Sequence, residues 1–254
     1  MSTKLDENNA VKIDAAGVYY RELNAGLKET ARQGTRKIEL RNVYGQRYIG
    51  TGLNRAVDIE IFGTPGNDLG AFMDGPRIIV HGNAQDGCGN TMNSGEIVVH
   101  GRAGDITGLS ARGGKIFVRD DAGYRAGIHM KEYQDKKPVL VIGGTAQDFL
   151  GEYMAGGILI LLGLGLAEGQ RHQARFIGTG MHAGAIYLRG DIAQSQLGKE
   201  VGMTEVSEQD RPTLERYVGE FAAHFSYQLD EIMGKKFVKL SPRWLRPYGT
   251  LYAY

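Results

Sequence analysis

The sequence predicts an all-β solenoid, a right-handed parallel β-helix of about seven coils with helices flanking it at both ends. Three observations predict it. A short apolar strand recurs every nineteen residues, over 58–63, 77–82, 96–101 and 115–120. Aliphatic residues fall into columns when the chain is stacked on that period. Glycine, 38 of 254 residues, recurs at fixed offsets from those columns and not at a collagen spacing.

One strand column reads Ile59, Ile78, Ile97, Ile116, Leu140, Leu159 and Ile186. Two residues on, a second reads Ile61, Val80, Val99, Val118, Ile142, Leu161 and Leu188. A spacing of two places both on one strand face, here the inward one. A corner column of Ala84, Ala103, Ala122 and Ala146 follows. Then come Leu69, Cys88, Thr107, Ala126, Leu150 and Ile177, directly before Gly70, Gly89, Gly108, Gly127, Gly151 and Gly178, which we read as structural corner glycines. Met73, Met92, Ala111, Met130, Met154 and Met181 stand three positions past them.

The inward residues of one coil, Ile78, Val80, Ala84, Cys88, Met92 and Ile97, do not fit the six-residue step of a left-handed hexapeptide helix. The columns also lack a leucine-rich-repeat frame. A right-handed β-helix tolerates unequal sides and agrees with the usual hand of parallel crossovers. Polar insertions at 131–138 and 163–172 stretch two steps without breaking the column order, as extruded loops do. At roughly 4.8 Å per coil the stack is a rod on the order of 30 Å long.

Helical spacing marks both ends. Val18, Tyr19, Leu23, Leu27 and Ala31 form one stripe, with Gly34 as a stop. Asp210 is placed to cap a second helix with Pro212 in its first turn, and an apolar stripe then runs from Leu214 to Ile232 before Gly234. These pieces are expected to cover the open ends of the stack. The division is thus 1–35, tail and helix; 36–195, β-helix; 196–254, helix and basic aromatic tail.

Thirty basic against 29 acidic side chains give a net charge of +1, which provides no global field for nucleic acid or membrane. A single cysteine rules out an all-cysteine metal or iron–sulfur site within this sequence. Residues 1–12 are polar, and no run approaches the ~18 apolar residues of a membrane span, so the expected location is the cytoplasm.

The residues point to no active site, cofactor site or metal site. Cys88 sits in a core column. His81 and His100 share a register and should stack at a strand end, with no carboxylate or further cysteine joining them by spacing. The glycine strings at 163–165 and 178–180 do not open a helix after a strand, and no phosphate loop or nucleophile elbow occurs. Between the two inward columns lie Glu60, Ile79, Val98, Phe117, Val141, Ile160 and Tyr187, which should face outward yet are apolar in six cases of seven. Such a strip is expected to be covered, either by the terminal helices or by a partner subunit. The tail, with Trp244 among basic residues and tyrosines, is a further candidate partner contact.

The segments Asp148-Phe-Leu-Gly-Glu-Tyr-Met-Ala-Gly-Gly157 and Phe176-Ile-Gly-Thr-Gly-Met-His-Ala-Gly184 resemble the repeat of the C-terminal GXGXG domain of the glutamate synthase large subunit. Asn83-Ala-Gln-Asp-Gly-Cys-Gly-Asn-Thr-Met-Asn-Ser-Gly95 resembles stand-alone versions of that domain. The resemblance implies a non-catalytic scaffold subunit. Its expected partners are a glutamine amidotransferase subunit and an FMN-binding synthase subunit, which would carry the FMN and iron–sulfur cluster and make glutamate from 2-oxoglutarate. A β-helix like the one found in formylmethanofuran dehydrogenase-type complexes, or a carbohydrate-binding β-helix, is the alternative.

Overall fold

Ile59, Ile78, Ile97, Ile116, Leu140, Leu159 and Ile186 lie side by side on seven adjacent parallel strands in a computed structural model of the chain. The structure describes residues 3–5 and 10–243. In chain order its first elements are β1 (Thr3–Leu5), β2 (Val11–Asp14), α1 (Tyr20–Arg32) and β3 (Lys37–Tyr44). The repeat strands follow: β4 (Asp58–Thr64), β5 (Asp74–Val80), β6 (Ser94–Val99), β7 (Lys115–Val118), β8 (Val139–Ile142), β9 (Ala155–Leu161) and β10 (Ala183–Arg189). The last are β11 (Val201–Glu205), α2 (Arg211–Phe225), α3 (Leu229–Met233) and β12 (Phe237–Pro242). The chain is a parallel β-solenoid, with six coils between β4 and β10.

The ladder runs past both limits of the 36–195 range. β3 pairs parallel with β4, placing Ile38 beside Ile59, and its coil carries Ile49, Gly50 and Leu53 in the column positions of Leu69, Gly70 and Met73. β2 is parallel to β3, and α1 is the crossover between them. Leu23, Leu27 and Ala31 on α1 are buried against the inward residues of the first strands, so this helix closes one end of the stack. Gly34, at φ +87°, ends the connection in a conformation that disfavours side chains. At the other end β12 pairs antiparallel with β10 and β11 with β12, so strands, not a helix, occupy that edge.

The interior is one continuous column of aliphatic residues, all but inaccessible from Ile13 to Leu240. A second narrow ladder, Ala84–Ala103–Ala122–Ala146, pairs at the corner, where a larger side chain would push successive coils apart. Each coil then turns through left-handed residues at alternate positions, as at Asp68 (φ 61°), Gly70 (φ 64°) and Phe72 (φ 57°). The middle position must be glycine because its Cβ would point inward. At Gly89 an added Cβ would lie 2.3 Å from Ile116 Cδ1. The flanking positions point outward, so Thr91, Ser110, His129 and Tyr153 occupy the same backbone conformation with side chains attached.

The expected single C-terminal helix is two helices. Ser226 adopts φ 59°, the Tyr227 amide donates to Ala222 O, and α3 folds back on α2. Asp210 does not cap α2 through its side chain. Its carboxylate instead accepts hydrogen bonds from Ser207 N and Oγ, from Tyr187 Oη at 2.8 Å and from Lys239 Nζ at 2.5 Å. Burial pulls that carboxyl upward, but these donors outweigh it and hold it well below the usual carboxylate range. The network fastens the start of α2 to β10 and β12.

Candidate functional site

The apolar strip that left two occupants open is covered from within. Leu214, Val218, Phe221 and Ala222 of α2 pack over Val98, Phe117, Val141, Ile160 and Tyr187. Val98 is 1 %, Phe117 0 % and Tyr187 3 % exposed, and Ile79 is half-buried at the strip's margin. Of the two covers left open for the strip, terminal helix or partner, α2 is the one that lies over Val98, Phe117 and Tyr187. Trp244 lies outside the described residues.

The other chemistry-bearing residues resolve into structural roles. Cys88 is fully buried, and burial raises its thiol pKa to about 12, so it is neither a thiolate nor accessible. His81 and His100 stack at 5.5 Å between centroids, with Phe62 continuing the stack on one side and Phe225 meeting His100 edge-on at the other. The described residues contain no group of three or more His, Cys, Asp or Glu placed to hold a metal. His172 is buried in the second insertion, with Nε2 3.0 Å from Arg189 O and no partner on Nδ1. Burial lowers its pKa. Arg189, also buried, donates Nε to Ile232 O at 2.8 Å, placing a cation at the C-terminal end of α3. The 163–172 segment is thus anchored at its two ends, Gly163 and His172, while most of the residues between them are exposed, as in an extruded loop. Gly163 leaves room for the His172 ring, and Gly180 for that of Tyr153, so neither glycine string forms a phosphate cradle.

Sequence reasoning missed a set of corner acids. Asp86 Oδ1 accepts from Asp105 N at 2.9 Å, Asp105 Oδ1 from Tyr124 N at 2.8 Å, and Asp148 Oδ1 from Arg175 N at 2.9 Å. Each carboxylate satisfies a backbone donor on the next coil, where the strands have diverged. The signal was the nineteen-residue step from Asp86 to Asp105.

The open part of the solenoid is the face built by the left-handed positions. Phe72 is 55 % and Phe176 50 % exposed, and Tyr48 and Tyr153 also stand out on this side. Neighbouring coils stack two of these rings: Phe176 lies on Phe149 at 5.0 Å, with Arg125 over Phe149 at 4.7 Å, and Tyr153 lies on His129 at 5.3 Å. Rings fixed in register at coil spacing form a preorganised contact surface that loses little side-chain freedom on binding. A groove of about 600 Å³ opens beside Tyr153.

The model of the GXGXG motif family matches residues 22–246. Uncharacterized protein MJ1350 of Methanocaldococcus jannaschii is 53 % identical over 250 residues, covering 95 % of this chain and 96 % of that protein. The repeats, the ladder they build and this match together show that the chain belongs to the GXGXG family, with the glutamate synthase-related fold its glycine-rich segments resemble.

Proposed function

We propose that this chain is a non-catalytic scaffold subunit of a glutamate synthase-type complex, bracing a glutaminase subunit against an FMN- and iron–sulfur-containing synthase subunit. The observation that carries this reading is the combination of family membership across nearly the whole chain with a continuous parallel ladder from β2 to β10. A stack of similar coils resists bending because each strand is hydrogen-bonded to both neighbours. Such a body holds two docked active sites at fixed separation, so that ammonia released at one is delivered to the other. In this reading the exposed rings at Phe72, Tyr153 and Phe176 are docking ground, and FMN and the cluster belong to the partners. With one cysteine, itself buried, this sequence leaves cluster ligation to another chain. Its place would be the cytoplasm; no described helix is long and apolar enough to cross a membrane.

Native affinity purification followed by mass spectrometry tests the proposal. An amidotransferase and an FMN protein are expected in fixed ratio with this chain. A molybdenum or tungsten enzyme in their place would point to a formylmethanofuran dehydrogenase-type assembly, and retention on polysaccharide with no protein partner to a carbohydrate binder. Either result overturns the proposal.

A further inference from the structure

Charge along the solenoid is arranged by coil. At the strand starts, Asp58, Arg77, Glu96 and Lys115 are direct neighbours and alternate in sign. Glu96 lies 2.9 Å from Arg77 and 3.2 Å from Lys115. The column just past the methionines behaves differently. Arg112 N donates to Met92 O and Lys131 N to Ala111 O, so these two side chains occupy one position on consecutive coils, like charge on like charge. Ala155 and His182 continue the column, with His182 N donating to Met154 O. His129, Ser110 and Tyr153, from the left-handed column alongside, complete the groove of about 600 Å³.

Its lining holds two permanent cations and two imidazoles, and no carboxylate. Nearby acids are engaged elsewhere. Glu152 pairs with Arg125 at 3.0 Å, Glu132 accepts from Gly157 N and faces Lys137, Glu200 accepts from Gly180 N, and Asp74 accepts from Ser94 Oγ. Among the described residues neither Arg112 nor Lys131 forms an ion pair; Arg112 rests 5.9 Å from the Tyr133 ring centre. His182 Nδ1 donates to Gly180 O at 2.7 Å, which fixes the ring and leaves Nε2 without an assigned partner. The Tyr153 side chain, stacked on His129, forms a rigid wall. Like charges stacked on adjacent coils repel, and a bound anion would relieve that repulsion.

We propose that this groove binds a small multivalent oxyanion, a phosphate or a dicarboxylate, through Arg112 and Lys131, with His129 as a further donor and the His182 ring as part of the groove wall. The site shares Tyr153 with the docking ground of the scaffold reading but does not rest on that reading: it uses only this chain, and its test needs no partner. The experiment is a side-chain ¹H–¹⁵N NMR titration of the histidines in the full chain with inorganic phosphate, and separately with succinate, each matched by sodium chloride at equal ionic strength. A saturable shift at His129 and His182 with at least one of the two probes is expected, the tighter probe identifying the ligand chemistry. Arg112→Gln/Lys131→Gln should weaken that binding by at least about tenfold, whereas Lys131→Arg should retain it. Among the described residues neither side chain makes a hydrogen bond or an ion pair, Arg112 only resting near the Tyr133 ring, and an unchanged melting temperature confirms that the variants fold. Shifts that merely follow ionic strength, or binding equally tight in the double variant, overturn the proposal.

Discussion

Adding one methyl group at Gly89 should damage this protein far more than adding one at Gly52. Both residues are left-handed, at φ +71° and +65°. An alanine at either incurs the left-handed penalty of roughly 1–2 kcal/mol. At Gly52 nothing lies within 4 Å of the new Cβ, so the loss stops there. At Gly89 the Cβ would sit 2.3 Å from Ile116 Cδ1 and 3.2 Å from its Cγ1, forcing an off-rotamer isoleucine or a spread between coils. Overpacking of that kind adds about 1–3 kcal/mol. Gly89→Ala should therefore lose on the order of 2–5 kcal/mol, read as a lower urea midpoint or as a melting temperature lowered by several degrees. Shortening the neighbour should recover part of it: Gly89→Ala/Ile116→Val removes the clashing Cδ1 and should be more stable than Gly89→Ala alone. Equal losses at Gly52 and Gly89, or no rescue in the double variant, would refute the close-approach argument.

Truncating Phe221→Ala should open a cavity between α2 and the sheet and cost about 3–5 kcal/mol, with amide exchange rising first in α2. At Glu96, burial raises the carboxyl, but hydrogen bonds from His224 and Arg77 and the charge of Lys115 outweigh it and leave its pKa at about 2. A depressed carboxyl contributes stability above its unfolded pKa and loses it as pH falls through the folded value. Glu96→Gln should thus flatten the acid limb of the stability profile between about pH 4.5 and 2, by on the order of 1–2 kcal/mol once the partly exposed partners are allowed for. Cys88 should resist iodoacetamide in the native protein and react stoichiometrically after unfolding in urea, as followed by intact-mass spectrometry.

The solenoid was legible because its constraints repeat. Each of Ile59, Ile78, Ile97 and Ile116 faces the same neighbours, so the same residue type recurs at the same phase. The coil from β3 to β4 was harder to see, since Ile38 and Ile59 stand 21 residues apart. The break at Ser226 was invisible: no glycine or proline marks it, and the apolar stripe runs through Phe225 and Leu229 in helical phase. The strip from Ile79 to Tyr187 shows what a pattern can and cannot say. Its apolar outward positions required a cover, but an intramolecular helix and a partner leave the same signature in a strand. Arg112 and Lys131 stand one nineteen-residue step apart, so their stacking follows from the repeat; that Tyr153 and His182 join them lies beyond the longer steps, and where neighbouring acids direct their bonds is something spacing alone does not reveal.

Whether this chain braces two active sites is decided by stoichiometric glutamate formation from glutamine and 2-oxoglutarate, using the separately purified amidotransferase and FMN subunits with and without it. Bracing predicts that each subunit performs its half-reaction alone and that ammonia escapes to solution when they are merely mixed. With a two-electron reductant such as dithionite-reduced viologen supplied, adding this chain should then restore a second glutamate, made from 2-oxoglutarate, for each glutamine hydrolysed, without any turnover of its own. Full coupling in its absence, or glutaminase or reductase activity from the isolated chain, would contradict it.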